Sequence, residues 1–329
     1  MSSPKPTVRP ATPDDADAII ALSAQMDTPL TPAVFRWKYL ESPSARISDS
    51  VVGVDAEGKV VGHAGVVVQP INVLGARHVA GQVTDIMTAS GKHDLALANQ
   101  LYEAATASLD ARGSSATIGF VNARSLAPLH GRAITLLGML DRWRLDADGP
   151  SGARLRAALD AKLDERFVPT LVPELDVGAE VDALWATCRR REVVSVSKDA
   201  RYLKWKYVDD PARRYRVFGA RFGDQLLAVA VVMPRREHWV VLELVSREKS
   251  VPFARELLAL LSAEAARVGV GRLRLVAMDP WYFRAIAAEL EPEPDFAHHV
   301  FARAVKPERA RVYENAASWT LTLGDAESI

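Results

Sequence analysis

Phe35-Arg36-Trp37-Lys38-Tyr39-Leu40-Glu41-Ser42-Pro43 recurs as Leu203-Lys204-Trp205-Lys206-Tyr207-Val208-Asp209-Asp210-Pro211, with Trp, Lys, Tyr, an aliphatic residue, an acid and Pro in register. A repeat of that quality decides the fold before any motif does. The neighbourhood repeats as well. Ser50 to Val68 reads as strand, acidic glycine turn, strand, and Tyr215 to Met233 reads the same way, with Glu57-Gly58 and Gly223-Asp224 at the hairpins.

Each copy continues into a further strand, Gly81 to Met87 or Trp239 to Val245, with Asp85 and Glu243 at the same place. A long helix follows: Leu97, Leu101, Ala104, Ala105 and Leu109 recur at steps of three and four, as do Phe253, Leu257, Leu260, Leu261 and Ala265. Glycines 113 and 269 suit the helix ends. Another strand comes next in both, Ala116 to Phe120 and Arg272 to Ala277. Then come a loop with a second helix and a last strand near Arg142 to Leu145 or His299 to Ala304. An amphipathic helix, Asp14 to Ala24 or Ala179 to Arg190, precedes each Trp-Lys-Tyr block.

The expected fold class is α+β, a mixed sheet in each of two tandem domains, mostly antiparallel and flanked by helices. The predicted boundaries are 1–150 for the first domain, 151–167 for a linker, 168–305 for the second and 306–329 for a tail. Ala147 to Gly152 has linker composition, and Ala153 to Arg166 reads as a charged helix. In the tail, Ser318 to Leu323 alternates like one added strand.

Among 329 residues, 41 basic side chains balance 41 acidic ones, so the excess of positive charge that nucleic acid demands is missing. The 49% hydrophobic content suffices for packed cores. No stretch of about 18 apolar residues occurs, and Met1 to Pro13 lacks the apolar core of a signal peptide, so a cytoplasmic, non-membrane protein is expected. Cys188, the single cysteine, cannot form an internal disulfide and reads as a buried thiol; no metal-ligand spacing is present.

This order of elements resembles the GNAT family of acyl-CoA N-acyltransferases over nearly the whole chain, twice, and Val8-Arg9-Pro10-Ala11-Thr12-Pro13-Asp14-Asp15 is similar to the family's opening. The resemblance implies an acyl-CoA co-substrate, acetyl-CoA or another acyl-CoA. Its thioester arm enters where the strand before the long helix splays from its neighbour, and its diphosphate lies on the following loop and helix N-terminus. Carried onto this chain, the loop is His93-Asp94-Leu95-Ala96-Leu97-Ala98, with alanines for the family's glycines, and Asn122 and Ser125 lie beside the pantetheine. The backbone of Ile86, Met87 and Thr88 is expected to meet the oxyanion. In the second copy Pro252 removes a donor, so no CoA is expected there.

Leu136-Leu137-Gly138-Met139 resembles the family's Leu-Gly-Phe ending, and the Tyr that protonates the thiolate in many members falls here at Ile134. Tyr102, Tyr39 and Tyr207 are the available substitutes, against a core or capping role for each. Asp85, on the strand lining the acyl slot, is the candidate general base, its pKa expected to rise on burial; an ordinary ion pair is the alternative. His130 is a candidate over the acceptor site, against a surface role. Trp37 and Trp205 read as packing residues that each domain needs for itself, and the neighbouring lysines as snorkelling. Glu41 and Asp209 suit either turn capping or an amine. The expected partner is a small-molecule amine, an amino sugar being favoured because Thr320 to Asp325 resembles the ending of tandem relatives that acylate sugars; the competing class is a non-catalytic acyl-CoA sensor or scaffold. A monomer or a homodimer is equally compatible with the sequence.

Overall fold

The computed structural model describes residues 5–25, 29–89, 94–122, 134–160, 170–189, 193–212, 214–247, 251–278, 289–293 and 298–326. Strand β1 (Thr7–Pro10) leads through the turn Pro13–Asp15 into α1 (Ala16–Ser23). Asp15 fixes that entry, accepting from the Thr12 amide at 2.8 Å and pairing with Arg9 at 2.7 Å. Helix α2 (Pro32–Tyr39) carries the first Trp-Lys-Tyr block and starts where the Thr31 hydroxyl accepts from the Val34 amide at 3.2 Å, with Pro32 in the first turn.

The meander β2 (Val51–Val54), β3 (Val60–Val73) and β4 (Ala76–Thr88) follows, then α3 (Leu95–Ala111), β5 (Ala116–Asn122) and β6 (Thr135–Asp146). After α4 (Pro150–Asp160) and β7 (Thr170–Val172), the order returns with α5 (Ala179–Cys188), β8 (Val194–Val196) and α6 (Ala200–Leu203), which runs into a π turn over Lys204–Val208. Next come β9 (Arg216–Phe222), β10 (Gln225–Pro234), β11 (Trp239–Ser246), α7 (Val251–Arg267) and β12 (Arg272–Met278). The chain ends with β13 (Glu291–Pro292), β14 (His298–Ala304), α8 (Ala310–Tyr313) and β15 (Trp319–Thr322). This is a mixed α/β architecture, a large sheet flanked by helices.

The last strands change places. β14 pairs with β5 along its whole length, from Ala304↔Ala116 to His298↔Asn122, and the later part of β6 pairs with β12, from Asp146↔Arg272 to Asp141↔Ala277. The sequence reading gave each copy its own final strand; instead each sheet is completed by the strand that follows in the other half. Local pattern reports that a strand forms but is silent on which edge receives it. β15 enters between the halves, parallel to β8 and antiparallel to β12.

Helix α3 packs Leu97, Leu101, Ala105 and Leu109 on β2 to β4, and α7 covers the second half with Phe253, Leu257, Leu258 and Leu261. The largest core lies between the halves and joins Phe35, Trp37 and Tyr39 to Tyr202, Trp205 and Tyr207. The stretch read as linker is the start of α4, with the Ala153 amide bonded to the Gly149 carbonyl at 2.9 Å and Pro150 at the first helical position. Cys188 is a buried thiol 2.9 Å from the Ser246 carbonyl. Among the described residues no helix is long and apolar enough to cross a membrane.

Candidate active site

β4 meets β5 in parallel at only two positions, Ala80↔Ala116 and Gly81↔Thr117, although β5 stays paired to β14 through Asn122. Beyond Gly81 the strands part, and a wedge opens between residues 82–88 and 118–122. On the other edge of β4 the register skips between His63 and Gly65, so Asp85 and Ile86 together face Ala64. Such a bulge bends a strand and re-aims its side chains. Asp85 accordingly sits at φ +46°, a left-handed conformation that a non-glycine residue holds only where its surroundings enforce it.

The surroundings are explicit. Lys38 Nζ lies 2.6 Å and the Tyr39 hydroxyl 2.5 Å from the same oxygen, Asp85 Oδ2, while the Thr84 hydroxyl reaches Oδ1 only at 3.4 Å. His63 Nδ1 sits 3.2 Å from the Asp85 carbonyl, which fixes the ring with its proton on Nδ1 and its lone pair on Nε2. Burial pushes the Asp85 carboxyl upward, but the Lys38 charge and the Lys38 and Tyr39 hydrogen bonds outweigh it and hold the group below the ordinary carboxylate range. The expected rise does not occur, because the chain supplies its own counter-ion. Burial dominates at His63, whose pKa falls to about 4, so the imidazole is neutral. Gly65 makes the arrangement accessible: a Cβ there would stand 2.1 Å from the Tyr39 hydroxyl.

The second half repeats the device and seals it. β11 leaves β12 after Val241↔Leu275, and Glu243 accepts from the Tyr207 hydroxyl at 2.6 Å and from Lys198 at 2.5 Å. Lys198 also pairs with Asp325, and Lys206, equivalent by sequence to Lys38, donates to the Ala326 carbonyl at 2.6 Å. Lys38 and Lys206 are thus buried and bonded, not snorkelling. The side chain of Asp85 retains 10% exposure against 1% for Glu243, so only the first carboxylate is within reach of a ligand.

The expected donor residues divide. Ile86 is 40% exposed at the wedge, whereas Met87 and Thr88 are buried and paired opposite His63 and Gly62, and the Thr88 carbonyl accepts from Gln25 Nε2 at 2.6 Å. Asp94 is the N-cap of α3, accepting from the Leu97 amide at 2.9 Å, and the Leu97 side chain packs against Gly53 and Gly62. Both therefore build the helix, leaving the exposed Leu95 and Ala96 and the half-buried Ala98 at its open end. Tyr102 packs on Phe301 beside Ile134, in the layer where the family resemblance places the missing Tyr. Asn122 ends β5 opposite His298. His93, Ser125 and His130 lie outside the described residues, as does the side chain of Asn122.

Three participants escaped the sequence reading: Lys38 as the partner of Asp85, His63, and Gln82, whose Nε2 reaches the Asp325 carbonyl at 2.8 Å. The signal for Lys38 was present, since Trp-Lys-Tyr and the strand acid recur together in both halves. Glu41 and Asp209 line, with Arg36, Pro32 and Pro211, an open hollow of about 400 Å³ between the two Trp-Lys-Tyr segments. Among the described residues no group of His, Cys, Asp or Glu is placed to hold a metal ion.

Residues 7–127 match the family described as acetyltransferase (GNAT) domain. Similar solved structures include a GCN5-related N-acetyltransferase from Kribbella flavida, 14% identical with a TM-score of 0.64 over 91% of this chain and 71% of that one. A GCN5-related N-acetyltransferase from Anabaena variabilis is 10% identical with a TM-score of 0.66, over 92% and 73%. A conserved protein of unknown function from Enterococcus faecalis, titled a probable N-acyltransferase, is 8% identical with a TM-score of 0.61, over 92% and 73%. At these identities the likeness is one of fold. No curated protein matches the sequence.

Proposed function

We propose, from the match of residues 7–127 to a GNAT acetyltransferase domain, that the chain transfers an acyl group, acetyl in the first instance, from acyl-CoA to the primary amine of a small molecule. The observation that carries the reading is the β4–β5 wedge with the bulged, left-handed Asp85 beside it. We further propose that the chain is two GNAT-like repeats in sequence, 1–150 and 168–305, joined by 151–167 and exchanging their last strands, with the acceptor bound on the face shared by α2 and the second repeat.

In this reading the thioester arm lies in the wedge, and the first-turn amides of α3 at Leu95 and Ala96 face the diphosphate. Asp85 Oδ1, the oxygen not taken by Lys38 and Tyr39, receives the acceptor ammonium. Its low basicity suits an ion-pairing and orienting role, with the proton passed on to water. The amine nitrogen then forms a bond to the thioester carbon, the carbon–sulfur bond breaks, and a proton reaches the departing thiolate. An amino sugar remains the favoured acceptor on the resemblance of residues 320–325. Acyl-CoA binding without turnover is the competing reading, favoured by the engagement of Asp85 by Lys38 and by Ile134 at the family's Tyr position.

Calorimetric titration of acetyl-CoA into the wild type and into Ala96→Glu tests the donor site, and thiol release across a panel of amines tests turnover. One equivalent bound, lost in the variant, with thiol release for some amine supports the transferase. Binding with no thiol release for any amine supports the sensor, and no binding of acetyl-CoA removes it as the donor.

A further inference from the structure

The second half contains its own opening, and the chain itself fills it. β11 and β12 are paired only from Trp239↔Leu273 to Val241↔Leu275. Just beyond, β12 takes a new neighbour: Ala277 pairs with Thr322 and Met278 with Leu321 of β15. The opposite edge of β12 is already occupied, since Ala277 also pairs with Asp141 of β6. β15 therefore lies on the edge that faces β11, inside the wedge.

The tail is bonded to both walls. The Thr322 hydroxyl donates to Glu243 Oε2 at 3.0 Å, the Tyr207 hydroxyl lies 3.1 Å from the Gly324 carbonyl, and Lys206 holds the Ala326 carbonyl. Leu321, Thr322, Leu323, Asp325 and Ala326 are all buried. A side chain at Gly324 would put Cβ 2.4 Å from Glu243 Oε1 and 2.5 Å from the Tyr207 hydroxyl, so the fit admits nothing larger. In the first half, among the described residues, no strand pairs with β5 on the corresponding edge beyond Thr117.

We infer that residues 319–326 are a built-in occupant of the second opening, standing where an acyl-CoA arm would lie and limiting the chain to one donor, at the first opening. The inference rests on the proposed donor reading of the first wedge. It explains why the second carboxylate carries a full set of internal partners: with a peptide held permanently against it, Glu243 is a fastening point, while Asp85 keeps an open side. The same segment ties the two wedges together, because the Asp325 carbonyl accepts from Gln82 of β4 at 2.8 Å and from Gln69 of β3 at 3.2 Å.

Hydrogen–deuterium exchange on the full chain tests this in two arms. Saturating acetyl-CoA is expected to slow exchange in residues 82–88, by up to about a hundredfold at a hundredfold excess over Kd, and to leave 239–246 and 319–326 unchanged. Release of 319–326 or new protection of 242–246 by acetyl-CoA overturns the inference. The second arm needs no ligand. Gly324→Leu, and Thr322→Val as the milder variant should the first fail to fold, are expected to raise exchange in 319–326 and 242–246 together. Loosening of the tail with 242–246 unchanged overturns the inference too. Absence of protection at 82–88 with this second arm positive counts against the donor reading and leaves the plug standing.

Discussion

The indole N–H of Trp37 donates to the carbonyl of Trp205 at 2.7 Å, and the indole N–H of Trp205 donates to the carbonyl of Trp37 at 2.9 Å. The rings stack at 5.1 Å between centroids with 21° between their planes. A reciprocal bond of this kind requires the same residue at the same place in both copies. The recurrence of Trp in the sequence thus records a contact between halves, where the sequence reading had assigned a packing need within each. Trp37 and Trp205 are mutual partners across a local two-fold relationship.

Replacing either indole by phenylalanine deletes one donor and leaves the other residue's buried carbonyl unpaired, at a cost of about 1–3 kcal/mol. Trp37→Phe and Trp205→Phe are expected to destabilise equally, and the double variant by less than the sum, because the two bonds share one stacked unit. Urea unfolding of the four proteins in a double-mutant cycle measures this. Strict additivity would contradict the reciprocal arrangement.

Asp85→Asn removes the counter-charge of buried Lys38 and is expected to cost about 3–5 kcal/mol, the usual penalty for stranding one member of a buried pair. Lys38→Met should cost a similar amount by stranding the carboxylate. Lys38→Met combined with Asp85→Asn should regain much of the loss yet stay inactive in thiol release, since stability returns with charge balance while the carboxylate proposed to receive the amine does not. Full activity in the double variant would show that the pair serves the fold alone.

His63 gives the fold an acid limit. Its pKa falls from 6.5 unfolded to about 4 folded, chiefly by burial, so between those values the unfolded chain binds more protons. Stability therefore rises with pH through that window, is fully present above 6.5, and is lost as pH falls toward 4. At about 1.4 kcal/mol per unit the loss amounts to roughly 3 kcal/mol. His63→Gln should flatten the slope of unfolding free energy between pH 4 and 6.5, read by urea titration at several pH values; an unchanged slope would assign the acid sensitivity to other groups.

Element type and order were legible because each depends on a short window. The strand, turn and strand of Ser50 to Val68, the three-and-four spacing from Leu97 to Leu109 and the strand within Ser318 to Leu323 all formed as read. The exchange of β6 and β14 was not legible, since both strands offer acceptable edges to either sheet and the choice is made by the packed whole. At the site, the sequence located Asp85 but not its state. An acid inside an apolar strand promises a raised pKa only if no cation arrives, and Lys38 arrives from 47 residues away. His63 offered no local sign at all, being one polar residue in a strand whose buried face became visible only in three dimensions.

The Tyr39 hydroxyl supplies a test of whether Asp85 acts in its ionised form. Its hydrogen bond, beside the larger effect of Lys38, lowers the carboxyl pKa, so Tyr39→Phe raises it. If the ionised carboxylate receives the amine, the acid limb of kcat/KM must move to higher pH, with acetyl-CoA affinity unchanged if the hydroxyl lies on the proposed acceptor face. Thiol release measured from pH 3 to 9, normalised to the folded fraction so that His63 protonation does not distort the limb, decides it. A limb that stays in place while the rate falls evenly would make Tyr39 and Lys38 a structural clamp and move the proton-handling role to another group.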